Sequence, residues 1–288
     1  MSEKHTGADL VANALDQLGV QHVFAIVSIH NMPMLDAINR LGKTKIIDVR
    51  HEQAGTHAAD GYARATGKLG VMIASTGPGT SNTVTGLYEA QYGSSRVLVI
   101  TGQAETAFYG KGLSYVHEAE NQVAMLSTVC RRVESPRHVD QLGSSLCSVI
   151  YDMYTGRPAP GALEIPIDIQ YAPAPPIAIS LPENDLFAPG EDLLLAVTKR
   201  LQASRKTVVV AGGGVISSGA SDALLTLAEK LDLPVLTTVD GRGCIPETHR
   251  LCVGNYYNSA GIYNAIQDAE VTLAIGCLLY TSPSPRDS

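Results

Sequence analysis

The feature that most constrains the fold is a series of short apolar segments that alternate with segments of helical spacing. Two of these segments, residues 70–76 and 96–101, consist mainly of hydrophobic residues. Strands of this kind are typical of parallel sheets that helices cover on both faces. The alternation therefore predicts an α/β fold in which right-handed crossovers connect parallel strands.

The alternating segments form two blocks. In the first block, strands are predicted at residues 22–27, 45–49, 70–76 and 96–101, and helices at residues 9–18, 32–41, 82–91 and 140–154. In the second block, strands are predicted at residues 207–211, 234–238 and 270–275, and helices at residues 192–202 and 220–231. The sequence thus predicts two doubly wound α/β domains with mainly parallel sheets flanked by helices.

A proline-rich segment separates the two blocks. Proline at this density disfavours helix and sheet and favours an extended spacer. We therefore predict a first domain at residues 1–171, a linker at 172–190 and an incomplete central domain at 191–276. Residues 277–288 resemble the translation of a sequencing-library adapter and are predicted to be a non-native tail. A genuine disordered tail is the alternative.

The composition argues against two classes of partner. The chain has 288 residues and a net charge of −7, without a Lys/Arg cluster, which argues against a nucleic-acid surface. No segment approaches the roughly 20 apolar residues of a membrane span. The polar N-terminus does not resemble a signal peptide. Five cysteines without a CxxC pair favour reduced thiols, so a cytoplasmic protein is predicted.

Glu52 is the residue whose position points most directly to chemistry. It follows the predicted strand at 45–49 and precedes a small, alanine-rich helical segment. Open α/β sheets bind their ligands at such junctions, beyond the carboxyl ends of the strands. A carboxyl group between Val49 and Ala58 would be partly desolvated and could exchange a proton with a ligand. The alternative is a solvated glutamate that stabilises the first turn of a helix.

Three further segments follow predicted strands or lie in a polar loop. They are Thr-Gly-Pro-Gly-Thr-Ser-Asn at 76–82, Thr-Gly-Gln at 101–103 and Tyr-Val-His-Glu at 115–118. Glycines in such a turn allow the backbone to approach a ligand closely. Each segment is also compatible with an ordinary connecting loop.

The combination of these motifs resembles one family. His51-Glu52-Gln53, Gly77-Pro78-Gly79 with Asn82, and Thr101-Gly102-Gln103 resemble the pyrimidine-binding domain of thiamine-diphosphate enzymes. Residues 208–215 and 234–246 resemble the central domain of the same family. Acetolactate synthase and its relatives are the most similar group, and the resemblance extends from about residue 6 to residue 276.

The resemblance implies an enzyme that decarboxylates a 2-oxo acid, transfers the resulting acyl group, or does both. It implies that Glu52 forms a hydrogen bond with the pyrimidine ring of thiamine diphosphate and helps to activate this cofactor. The cofactor-binding residues that it implies are Glu52, Thr76, Pro78, Gly79 and Asn82. The candidate catalytic residues are Glu52, His117 and Gln103.

Two positions depart from the acetolactate synthase pattern. His117 stands where these enzymes usually carry glutamine, and it could act as a general acid or orient a substrate carbonyl. A solvated loop histidine is the alternative. Val27-Ser28-Ile29 stand where a Pro-Gly-Gly turn is usual, and Ser28, Ile29 and His30 are the predicted substrate-side residues. An enzyme that cleaves C–C bonds in 2-hydroxyacyl or sulfonated substrates therefore remains an alternative.

The family also implies partners and groups that this chain does not supply alone. A third domain would hold the cofactor diphosphate and Mg²⁺, so no metal ligand is assigned here and the chain by itself is expected to be inactive. The active site would be shared between the subunits of a homodimer or homotetramer. Ser217 stands where a dinucleotide motif has its third glycine, which weakens the case for NAD binding at the Gly212-Gly213-Gly214 turn. Some members of the family hold FAD in this domain, and the sequence leaves FAD binding undecided. A non-catalytic nucleotide-binding regulatory module is the alternative from another class.

Overall fold

A computed structural model describes residues 5–113, 115–182, 188–255 and 260–277. Contacts divide the chain into two compact units, Met1–Asp185 and Leu186–Ser288. Each unit contains a sheet whose described strand pairs are all parallel, and helices lie between most successive strands. The predicted fold class is therefore confirmed.

The first unit contains a six-stranded sheet. Its elements in chain order are α1 Gly7–Gln17, β1 His22–Ala25, α2 Met32–Leu41, β2 Lys45–Asp48, α3 Glu52–Thr66, β3 Gly70–Ala74, α4 Pro78–Tyr92, β4 Val97–Gln103, α5 Gln122–Ser127, β5 Arg132–Glu134, α6 Val139–Tyr154, β6 Gly161–Pro166 and α7 Ile167–Tyr171.

The strand order β2-β1-β3-β4-β6-β5 determines where a ligand can bind. The chain runs outward from β1 to β2 on one side, and then from β3 to β4 on the other. Such a reversal leaves a crevice beyond the carboxyl ends of the two strands at which it occurs. The segments that follow β1, β2 and β3 therefore surround this edge of the sheet.

The centre of the sheet explains the apolar segments in the sequence. All residues of β3 and β4 are buried. In β3, Val71 and Ile73 belong to one apolar cluster, and Met72 and Ala74 belong to another on the opposite face. Because side chains alternate between the two faces of a strand, burial on both faces requires a run without polar residues.

The structure places several elements differently from the sequence prediction. Helix α4 begins at Pro78 rather than residue 82, because proline is well suited to the first turn of a helix. Strand β4 continues to Gln103. Strand β6 was not predicted, although it is fully buried between β4 and β5. Its short apolar run is interrupted by Glu164, which weakens the strand pattern.

The predicted linker begins against the first unit. Thr6 forms an isolated bridge with Pro173, and the Ala174 amide donates to the His5 carbonyl oxygen at 2.9 Å. Ala174 and Ile179 belong to the apolar core of this unit. The division by contacts falls at Asp185, inside the predicted 172–190 linker. Residues 183–187 of that linker lie outside the described residues.

The second unit contains a four-stranded sheet with the order β10-β7-β8-β9. Its elements are α8 Glu191–Ala203, β7 Thr207–Ala211, α9 Gly213–Ser217, α10 Ser221–Leu231, β8 Val235–Thr237, β9 Cys252–Asn255, α11 Ala260–Gln267 and β10 Val271–Ile275. The predicted tail at 277–288 lies, after Cys277, outside the described residues. No helix in the described ranges is long and apolar enough to cross a membrane.

Candidate active site

Glu52 is the first residue of α3 and lies at the sheet edge formed by the carboxyl ends of the strands. The side chain of His51 accepts a hydrogen bond from the Gln53 amide and caps the helix. The Glu52 side chain is 8% exposed, so it is not the solvated first-turn glutamate of the alternative interpretation. Its Oε2 atom accepts a hydrogen bond of 3.0 Å from Asn82 Nδ2 on α4.

Helices α3 and α4 pack closely enough to bring these two side chains together. One turn along each helix, a Cβ atom at Gly86 would lie 2.7 Å from the Thr56 Cβ atom. Only glycine permits this approach without displacing the buried Thr56. The contact between Glu52 and Asn82 thus follows from the small residues with which the two helices meet.

The Gly77-Pro78-Gly79 turn faces the Glu52 carboxyl group. A Cβ atom at Gly79 would lie 3.1 Å from Glu52 Oε1, so the backbone approaches this oxygen closely. Gly77 has a φ of 56°, and a Cβ there would lie 2.2 Å from the His117 carbonyl oxygen. The turn therefore requires glycine at residue 77 for two reasons, its backbone conformation and its contact with the His117 loop.

Thr76 and Gln103 lie beneath this turn and are fully buried. The Thr76 hydroxyl is 3.1 Å from Gln103 Oε1 and 3.2 Å from Gln122 Oε1. Gln103 Nε2 donates to Glu164 Oε2 at 3.0 Å. The functional groups of Gln103 are thus used within the protein, and its predicted catalytic role stays a prediction.

Gln122 and Glu164 were not found by sequence reasoning. Gln122 comes from α5 and Glu164 from β6, and neither side chain is exposed. Gln122 carries no local pattern that would distinguish it. A lone carboxylate among the apolar residues of a strand was the available signal for Glu164, since buried charges require partners.

His30 and His117 form a second group at the same edge. Their ring centroids are 6.2 Å apart. His30 is 2% exposed, and its Nδ1 atom has no hydrogen-bond partner among the described residues. Burial lowers the pKa of His30, and the nearby His117 lowers it further, so the buried ring is held neutral. His117 is exposed and adopts a φ of 59°, a conformation that is uncommon outside glycine.

Ser28 and Ile29, the other two predicted substrate-side residues, differ in exposure: Ser28 is partly buried and Ile29 is exposed. The Ser28 amide donates to Asn31 Oδ1 at 2.8 Å, and Ser28 Oγ accepts from the His30 amide at 3.2 Å. This compact turn presents Ile29 outward, with 59% of its surface exposed. The structure thus brings His30 and Ile29 to the same turn after β1, one buried and one available for contact.

Family models match both units. The N-terminal thiamine pyrophosphate-binding domain of thiamine pyrophosphate enzymes matches residues 5–125, and the central domain of these enzymes matches residues 194–286. The chain belongs to the thiamine pyrophosphate enzyme family. The match to the central domain runs into the predicted tail, whose non-native origin stays a prediction.

The relatives of this chain include acetolactate synthases. It is 34% identical to the probable acetolactate synthase large subunit of Methanocaldococcus jannaschii, over 94% of this chain and 47% of that protein. It is 31% identical to the acetolactate synthase large subunit of Lactococcus lactis, over 95% of this chain and 48% of that protein. The chain therefore spans about half the length of these curated relatives.

A solved structure supports the fold. The X-ray structure of a Mycobacterium smegmatis protein, described as a thiamin diphosphate-dependent enzyme, matches with a TM-score of 0.84. The match covers 97% of this chain and 54% of that one, at 22% sequence identity. This similarity concerns the arrangement of the elements.

The residues at the sheet edge fit the pyrimidine side of a thiamine pyrophosphate site. A buried carboxyl group faces a turn whose two glycines add no side chains between it and the backbone. Such a group can form a hydrogen bond with a ring nitrogen, and a turn without side chains can lie against a flat ring. Glu52, Gly79 and Asn82 are the residues that could hold this part of the cofactor.

The glycine-rich turn of the second unit has a different environment. A Cβ atom at Gly212 would lie 2.2 Å from the Gly276 carbonyl oxygen, and one at Gly214 would lie 2.7 Å from Gly276 Cα. A Cβ at Gly213 would lie 3.0 Å from Asp240 Cβ. Close packing within the chain thus accounts for these three glycines without a bound nucleotide.

Proposed function

We propose that this chain supplies the pyrimidine-binding and central domains of a thiamine-diphosphate-dependent enzyme that acts on 2-oxo acids. The observation that carries the proposal is the buried Glu52 carboxyl group between Asn82 Nδ2 and the backbone of Gly79. The curated relatives that are named acetolactate synthases support decarboxylation with carboligation as the reaction.

The pyrimidine side of the site is assigned to five residues. Thiamine diphosphate, when bound, supplies the electron sink that stabilises the negative charge left by decarboxylation. Glu52 holds and exchanges a proton at its carboxyl group, and Asn82 orients that group by donating to Oε2. Pro78 and Gly79 cover the carboxyl group and exclude water, while Thr76 fixes the start of the turn.

The substrate side is assigned to the segment after β1 and to the loop that contains His117. The buried, neutral His30 ring has no partner for Nδ1 among the described residues, and the exposed His117 ring is close to it. Two imidazoles in this arrangement can donate and accept hydrogen bonds at the carbonyl and carboxylate of a 2-oxo acid. Ile29 adds an exposed apolar surface, and Ser28 holds its turn.

The remaining assignments concern the complete protein. Since the chain spans about half of its relatives, the diphosphate group and Mg²⁺ are assigned to sequence beyond the two domains matched here. A homodimer or homotetramer with a shared active site in the cytoplasm is part of the proposal. The close packing of the Gly212-Gly213-Gly214 turn favours a structural role over FAD binding.

The test is a product analysis of the full-length gene product. The purified protein is incubated with thiamine diphosphate, Mg²⁺ and a panel of 2-oxo acids, and released carbon dioxide and carboligation products are quantified. Cofactor-dependent decarboxylation supports the proposal. Cleavage of 2-hydroxyacyl thioesters or sulfonated aldehydes, without turnover of any 2-oxo acid, would transfer the assignment to the lyase alternative. Absence of all cofactor-dependent turnover would leave the regulatory module.

A further inference from the structure

The hydrogen bonds of Gln122 connect the core of the first unit to the glycine turn of the site. Gln122 Oε1 accepts from the Gly77 amide at 2.8 Å and lies 3.2 Å from the Thr76 hydroxyl. Gln122 Nε2 donates to Glu164 Oε2 at 2.7 Å. One buried side chain therefore holds the backbone at the start of the turn and is itself held from β6.

Glu164 can hold Gln122 because its own carboxylate is well supplied with donors. Oε2 accepts from Gln103 Nε2 at 3.0 Å as well as from Gln122, and Oε1 accepts from the Ser135 hydroxyl at 2.7 Å. Burial, together with the Glu164 charge, raises the pKa of Tyr109 to about 12. A buried carboxylate is tolerated only with this number of partners.

The charge on Glu164 also fixes the orientation of the amide. A carboxylate only accepts hydrogen bonds, so the NH₂ group of Gln122 must face Glu164 and its oxygen must face the turn. The opposite orientation would place an oxygen against the carboxylate and an NH₂ group against the Gly77 amide. The glutamate thus ensures that an acceptor always faces Gly77.

The position of Gly77 affects both the His117 side and the Glu52 side of the site. Its backbone contacts the His117 carbonyl oxygen so closely that no Cβ atom fits, and Gly79, two residues later, lies against Glu52. Displacement of Gly77 would therefore move His117 and alter the cover over the Glu52 carboxyl group. A misplacement of about 1 Å in a catalytic site can reduce the rate by roughly 100-fold.

We propose that Gln122, oriented by Glu164, is a positioning residue that sets the place of the Gly77-Pro78-Gly79 turn and of His117 relative to Glu52. The proposal deepens the proposed function and rests on it, since the turn is assigned to the cofactor site. Gln122 and Glu164 are assigned no contact with the cofactor or the substrate.

The first experiment measures the turn itself in the 288-residue chain. Hydrogen exchange is followed by mass spectrometry in peptides that cover residues 75–82 and, as a reference, residues 70–74 in β3. Gln122→Met removes both hydrogen-bonding ends at similar length. Because the Gly77 amide loses its buried acceptor, exchange in the turn should rise about fivefold or more, while the reference peptide stays unchanged.

Two further variants make this experiment decisive. Glu164→Met removes, at similar length, the acceptor that holds the Gln122 NH₂ group, so it should loosen the turn as well; it also serves if Gln122→Met does not fold. Thr44→Val is the matched control. It removes a buried hydrogen bond to the Val20 carbonyl oxygen at the opposite edge of the same sheet. Thr44→Val should leave exchange in the turn unchanged.

The second experiment uses the full-length enzyme. Gln122→Met should lower kcat by about tenfold or more while the KM for the 2-oxo acid changes by less than about threefold, because chemistry is misaligned and substrate binding is retained. Gln122→Glu provides a rescue. With a proton shared between the introduced carboxyl and Glu164, the variant can still donate to Glu164 and accept from Gly77. Its kcat should approach wild type at low pH and fall as the pH rises.

The outcomes separate this inference from the proposed function. Unchanged exchange in the turn, or equal loosening of the turn and the reference peptide, would overturn the positioning role. A loosened turn with an unchanged kcat would overturn it too. Local loosening in Gln122→Met and Glu164→Met, combined with a wild-type protein that shows no thiamine-diphosphate-dependent turnover, would support the positioning of the turn and reject the proposed function.

Discussion

The two units contain similar glycine turns after a buried strand, and the two turns are packed against different neighbours. In the first unit, Gly79 approaches a carboxylate oxygen of Glu52, and buried polar side chains lie beneath the turn. In the second unit, Gly212 and Gly214 lie against the backbone of Gly276. A glycine-rich turn after a strand therefore has two physical causes, and the neighbouring side chains decide which one applies.

The variant with the largest expected effect tests whether the Gly77-Pro78-Gly79 turn belongs to the catalytic site. Glu52→Gln keeps the size of the side chain and its contact with Asn82 but removes the exchangeable proton. In the full-length enzyme we expect kcat to fall by about 100-fold or more, since positioned acid–base groups contribute rate factors of this order. Steady-state kinetics, with thermal unfolding as a check of the fold, measure this effect.

Glu191→Gln is the matched control for Glu52→Gln. Glu191 is also the first residue of a helix, but it is exposed and belongs to the second unit. Its replacement should leave kcat within about twofold of wild type, as expected for a surface position. If Glu52→Gln kept its activity, the turn beside Glu52 would no longer differ from the second-unit turn in having a catalytic role.

A change at Gly77 tests the strain that only the first turn contains. Gly77→Ala forces a side chain into a backbone conformation with positive φ and against the His117 carbonyl oxygen. The free energy of unfolding of the first unit should decrease by about 1–3 kcal/mol. Denaturant titration of the variant measures this, and an unchanged midpoint would mean that the turn is less constrained than its contacts indicate.

The buried histidine at the same edge predicts a pH effect in the first unit. The pKa of His30 is lowered in the folded state, so the unfolded chain binds its proton first as the pH falls below the usual value of 6.5. Stability is therefore retained above that pH and decreases below it. His30→Asn should flatten this acid-side loss in urea titrations between pH 7 and pH 5. An unchanged slope would contradict the assignment.

The smallest expected effect belongs to the second turn. Gly213 has no positive φ, and a Cβ atom there would meet the Asp240 Cβ at 3.0 Å, a contact that needs only a small shift. Gly213→Ala should change the free energy of unfolding by less than about 1 kcal/mol. A loss as large as that of Gly77→Ala would show that the two turns are equally constrained.

Many of the helices and strands, and the Glu52 side of the site, could be predicted from the sequence. Apolar strands buried on both faces, such as β3, are visible as continuous runs. The resemblance to thiamine-diphosphate enzymes placed Glu52, Gly79 and Asn82 in one cofactor site, and the structure brings Glu52 and Asn82 into contact. These features depend on neighbours in the sequence or on a known arrangement of strands.

The buried residues beneath the turn could not be predicted, because they depend on contacts between residues distant in the sequence. Gln122 meets Gly77 across 45 positions and Glu164 across 42, and neither spacing follows a helical or strand period. Glutamine is also common on helix surfaces, so α5 gave no indication that this one is buried. Strand β6 is short and carries a charge, and its central place depends on partners that local reasoning cannot supply.

The N-terminal segment of the first unit lies beside the start of the predicted linker. His5 and Ala174 share a hydrogen bond, and Thr6 pairs with Pro173. Beyond Ala174 the chain reaches the end of α1, where the Ile179 amide donates to Gln17 Oε1 at 3.0 Å. A peptide that joins the end of the first unit to His5 would therefore run back along α1, about 16 Å, and the chain could be reopened at an exposed loop without stretching the sheet. The first unit is thus suited to circular permutation, and it could be inserted as a cassette into a loop of another protein.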